Sequence, residues 1–173
     1  MFYSIITYII NSLLSILRLF RFFDYTNYLE KPRLSSNNGL YSDNNSTESI
    51  EIISWNIQEL FFYKNLNKLN NIIRYIKSFR CDVLCLQEVF DDYSKYKIIN
   101  SLKIKFPFFL SGNINKKYIF GEDSGLLVLS KYPINFVKEV FLENLRLPDS
   151  LATKTILFFK IKEINFMTTH LQS

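Results

Sequence analysis

From Ile50 to Val89 the chain changes its hydrophobic period twice, and the order of those changes leaves few folds open. IEIISWNI is a short β-rich run. Leu66, Leu69, Ile72, Ile73 and Ile76 then recur at helical spacing, which predicts a helix over Asn65–Phe79. CDVLCLQEV follows as an apolar run bounded by charges, the pattern of a buried strand. A strand-helix-strand unit with parallel strands brings their carboxyl ends to the same side. Asn56 ends the first of these strands and Glu88 ends the second, so an amide oxygen and a carboxylate are expected to meet at one point.

Beyond Val89 the pattern predicts a helix over Tyr93–Lys105 and an apolar strand, SGLLVLS, ending at Ser130. Strands are then predicted over Phe136–Phe141, Thr155–Lys162 and Ile164–Thr169, the last two joined by a tight turn near Lys162 and Glu163. Helices come early and strands cluster late. That order predicts an α/β sandwich rather than a regular doubly wound sheet. The 173 residues suffice for one domain, and 48% hydrophobic with 17% aromatic residues supply its core, which excludes global disorder.

The two cysteines, Cys81 and Cys85, would stand about 13 Å apart on one strand, too far for a disulfide. With a single histidine and no other cysteine, a zinc site is excluded as well, and both thiols are expected in the core. The net charge of +5 favours a phosphate-bearing partner, nucleic acid or anionic membrane, without choosing between them.

Residues 1–24 are of a different kind. No charge precedes Arg18, and Ser4, Thr7, Asn11, Ser15 and Arg18 form a narrow polar stripe on an otherwise apolar helix. A helix lying in the membrane interface fits the stripe and the trailing Arg18 and Arg21. A spanning helix needs about 20 apolar residues, slightly more than this run offers. A cleaved signal peptide would carry an initial positive region, which is missing. Packing of the helix on the domain is the remaining alternative. Residues 25–49 form a polar linker, with Asn44 and Asn45 each opening an N-x-S/T sequon.

Three polar residues carry the candidate chemistry. Asn56 and Glu88 offer hard oxygen ligands suited to Mg²⁺, which typically takes one or two protein carboxylates and keeps its waters. His170 ends the last strand. Taken singly, each has a plainer reading: a capping amide, a solvated loop carboxylate, a structural histidine.

Their order adds to this. SWNIQEL, CDVLCLQEVF, SGLLVLSKYPI and INFMTTHLQS resemble, in sequence order, the endonuclease/exonuclease/phosphatase superfamily. LSKYPI, LPDSLATKTILFFKI and THLQS look most like its neutral and bacterial sphingomyelinases, and the resemblance covers residues 50–173. It implies part of a four-layer α/β/β/α sandwich of the deoxyribonuclease I-like type. It implies Mg²⁺ or another divalent cation held by Glu88 and Asn56. It implies that His170 contacts the scissile phosphate and takes part in proton transfer, with Asn56 beside it. The implied activity is metal-dependent hydrolysis of a phosphodiester, with a phospholipid such as sphingomyelin as substrate and residues 1–23 holding the domain at a membrane. A nuclease, or an inactive membrane-anchored module, is the alternative. The superfamily also uses an Asp-x-Asn and a Ser-Asp-His motif beyond THLQ, and neither is present, so this chain alone is expected to form an incomplete catalytic domain.

Overall fold

The computed structural model describes residues 49–59, 65–112, 123–142 and 153–171. Residues 1–24 and nearly all of the polar linker lie outside them. Two sheets and two helices make up the described part. Strand β1 (Ile52–Glu59) leads through helix α1 (Leu66–Ser78) to β2 (Val83–Val89), then through α2 (Asp92–Leu102) to β3 (Phe108–Ser111) and β4 (Leu127–Ser130). These four strands form one sheet in the order β1-β2-β4-β3. The strands β5 (Ile134–Phe141), β6 (Thr155–Ile161) and β7 (Ile164–Thr169) form a second, antiparallel sheet.

Helix α1 forms where the spacing predicts it. The Asn65 side chain accepts from the Lys68 N–H and satisfies one of the free donors of the first turn. Leu69, Ile72, Ile73 and Ile76 are buried along one face, each contributing about 1.5–3 kcal/mol of burial. They pack with Ile98 and Leu102 of α2 against Leu84, Leu86, Leu127 and Leu129 of the first sheet. The opposite face of that sheet presents Val83, Cys85, Phe108, Leu110 and Val128 to Leu157, Phe159 and Ile161 of β6. Helices, first sheet and second sheet therefore stack in that order, as three of the layers of an α/β/β/α sandwich. The outer face of the second sheet carries Ile156, Phe158, Val140 and Met167, the last two exposed.

The structure departs from the sequence reading in three places. β3 is a strand where none was expected. α2 stops at Leu102 instead of reaching Lys105, because Lys105 turns back and donates through Nζ to the carbonyls of Ile76, Lys77 and Phe79. There it caps the end of α1. β5 begins at Ile134, whose side chain belongs to the core between the sheets. The tight turn falls at Lys162 and Glu163, with Lys162 in the left-handed region at φ 52°. Both cysteines are free thiols buried in the core, and burial pushes the Cys85 thiol up to about 11.

Candidate functional site

β1 and β2 pair in parallel, Ile52 opposite Val83 through Asn56 opposite Gln87. Past that point the register shifts, with Glu59 opposite Val89. The irregularity is a bulge at the carboxyl ends of both strands. Gln58 at φ 50° and Glu88 at φ 57° both adopt the left-handed region, which is uncommon outside glycine and costs about 1–3 kcal/mol per residue. Bulges of this kind re-aim side chains, and here the re-aimed side chains are polar.

The Asn56 amide is fixed from two sides. Its Oδ1 accepts from the Gln58 N–H at 3.0 Å, which leaves Nδ2 to donate to Glu88 Oε1 at 2.8 Å. The second sheet delivers the third group. The β6–β7 hairpin sets Ile156 opposite Thr169, and the Thr169 hydroxyl donates to the Thr155 carbonyl at 2.8 Å. His170, the next residue, places Nε2 3.4 Å from the same Glu88 Oε1. Asn56, Glu88 and His170 thus meet at one edge of the sandwich, joining both sheets.

Lys154, immediately before β6, completes the group. It is 3% exposed, and its Nζ lies 3.0 Å from His170 Nδ1. Nothing in the sequence around Lys154 marks it as part of a site. The available signal was its place in the hairpin: counting back from the turn at Lys162 and Glu163 sets Thr155 opposite His170, with Lys154 next along.

A second polar cluster underlies the strand ends. Glu59 is buried, accepts from the Ser94 hydroxyl at 3.1 Å, and faces Lys68 Nζ at 3.4 Å. Lys95 and Asp123 form a buried ion pair. Asp123 also accepts from the Gly125 N–H at 2.8 Å, while the Gly125 carbonyl accepts from the Val89 N–H. Gly125 itself has φ +63°, and a Cβ there would meet the Phe90 ring at 2.6 Å. Asp123 is thereby committed to holding the end of β2. Ser130 and Lys131 sit at the opposite end of the sheet, Ser130 opposite Val83. Lys131 pairs with Asp82 at 3.0 Å there, away from Glu88.

Among the described residues no cluster of three His, Cys, Asp or Glu side chains is arranged to hold a metal. The donor set at the site is one carboxylate and one amide. That suits a cation retaining most of its waters, as Mg²⁺ does. It does not suit a dehydrated four-ligand site of the zinc type.

A model of the Endonuclease/Exonuclease/phosphatase family matches residues 53–163. Among solved structures, a β-hairpin deletion mutant of beta toxin from Staphylococcus aureus superposes with a TM-score of 0.56 at 20% identity, over 72% of this chain and 52% of that one. Sphingomyelinase C from Streptomyces griseocarneus gives 0.51 at 18% identity, over 71% and 48%. A variant of the same S. aureus beta toxin with bound magnesium ions gives 0.53 at 19% identity, over 70% and 48%. The chain therefore spans about half the length of these structures, and at such identities they share its fold. No curated protein matches the chain.

Proposed function

Since the chain belongs to the endonuclease/exonuclease/phosphatase family, we propose that Asn56, Glu88 and His170 are part of the site of a divalent-metal phosphodiesterase acting on a phospholipid such as sphingomyelin. Glu88 and Asn56 hold the cation, preferably Mg²⁺, and His170 contacts the scissile phosphate. The observation that carries this reading is the convergence of Asn56 Nδ2 and His170 Nε2 on Glu88 Oε1 from two separate sheets. When bound, the cation polarises the phosphoryl oxygens and neutralises developing charge. The chain's own residues orient the carboxylate and present N–H donors to the phosphate.

The preference for a phospholipid rests on the fold shared with sphingomyelinase C and on the apolar residues 1–23, which we propose hold the domain at a membrane. No described helix is long and apolar enough to cross a membrane, and residues 1–23 lie outside the described part. Because the chain spans about half of the related structures, the complete activity is proposed for the protein together with the remaining part of the domain. The test is hydrolysis of sphingomyelin vesicles and of duplex DNA side by side in Mg²⁺, with and without EDTA, on the longest natural form of the protein. EDTA-sensitive release of the sphingomyelin headgroup supports the reading. Cleavage of DNA alone replaces the substrate by nucleic acid and keeps the phosphodiesterase.

A further inference from the structure

His170 has a different kind of partner at each ring nitrogen. At Nδ1 stands the Nζ of the buried Lys154, 3.0 Å away. A lysine ammonium has three donors and no acceptor. At Nε2 stands Glu88 Oε1, 3.4 Å away, and an ionised carboxylate only accepts. The two neighbours impose the same condition: a lone pair on Nδ1 and a proton on Nε2. We infer that Lys154 is a positioning residue that holds His170 in its Nε2-protonated tautomer, with that N–H aimed into the Asn56–Glu88 site.

This rests on the site proposed above and narrows the part His170 plays in it. An imidazole protonated at Nε2 has no lone pair facing the site, so His170 does not take a proton from water there. It offers a hydrogen bond to a phosphoryl oxygen, the way a neutral histidine acts as an electrophile elsewhere. Activation of water is then left to another group. Lys154 acts on His170 through the far nitrogen, Nδ1. The hairpin supports the arrangement: Ile156 pairs with Thr169, His170 follows that pair on one strand as Thr155 and Lys154 precede it on the other, and the Thr169 hydroxyl donates to the Thr155 carbonyl.

His170 is the only histidine in the chain, so its ring nitrogens give one assignable pair of resonances in ¹⁵N-labelled protein. The spectrum is recorded without metal or substrate at about pH 8.5, above the ordinary imidazole range. The chain as it stands should show the proton on Nε2 alone. Lys154→Met should give a mixture of the two tautomers, and Lys154→Arg, which keeps a donor, should restore the single form. A proton on Nδ1 in the unaltered chain overturns the inference without any variant. An unchanged, pure Nε2 tautomer in Lys154→Met overturns it too, provided the β6–β7 amide signals persist. Hydrolysis plays no part in the measurement, so its failure and that of the phosphodiesterase reading are separate results.

Discussion

Glu88 Oε1 and Asn56 Nδ2 lie 2.8 Å apart although the residues belong to different strands and both leave the regular sheet at a bulge. The contact depends on Glu88 and Gln58 holding a left-handed backbone. Glu88→Gly would relieve that strain and remove the carboxylate together. Gln58→Gly relieves it alone, and should leave the fold at least as stable while keeping the Asn56–Glu88 contact. Backbone-compatible glycine changes of this kind move stability by about 1 kcal/mol, which urea unfolding resolves.

The buried pair Lys95–Asp123 anchors the segment that meets the end of β2. Lys95→Met should destabilise the protein by about 3–5 kcal/mol, because it strands a buried carboxylate. The double change Lys95→Met with Asp123→Asn should recover most of that loss, since the amide still accepts from the Gly125 N–H. Urea midpoints of the unaltered protein and the two variants check the order.

Stability should also fall toward both pH extremes through Asp82 and Lys131. Burial alone would raise the Asp82 carboxyl, but hydrogen bonds from the Glu51 N–H and Lys131 Nζ hold it below its usual value. A carboxyl lower in the folded state stabilises above its unfolded value of about 3.9, and this is lost as pH falls through the folded one. The hydrogen bond to Asp82 raises the Lys131 ammonium. Its contribution is complete below about pH 10.4 and is lost as pH rises through the folded value. Asp82→Asn should flatten the acid limb of an unfolding free-energy profile, and Lys131→Met the alkaline limb.

Residues 1–23 should bring the protein to membranes. Forms with and without residues 1–34 are to be compared by cell fractionation and by flotation with anionic vesicles. The full chain should float and the shortened one should not. Equal solubility of both would make the segment ordinary packing against the domain.

Much of this architecture is legible in the sequence, for reasons that differ by element. The 3.6-residue spacing of Leu69, Ile72, Ile73 and Ile76 gives α1 and its limits, because an amphipathic face and a capping Asn65 are local signals. The meeting of Asn56 and Glu88 follows from one parallel strand-helix-strand unit. β3 escapes because Phe108–Ser111 is four residues in an aromatic stretch after Pro107, too short to show a period. The end of α2 escapes because a lysine's reach to another helix decides it. The left-handed Gln58 and Glu88 escape because neither is Gly or Asn, and the bulge is set by the register between strands. Lys154 escapes because its partner is across a hairpin, and one lysine among many gives no local sign of burial.

Binding of a divalent cation by Glu88 beside His170 is what the proposed site most directly requires. Mg²⁺ should be titrated into ¹⁵N-labelled protein while the His170 ring resonances and the amides of residues 56–58 and 88–89 are followed. They should shift together and saturate, and Glu88→Gln should weaken the apparent affinity at least about tenfold, or about 1.4 kcal/mol. Resonances that Mg²⁺ leaves in place, or a titration that Glu88→Gln leaves unchanged, would contradict it.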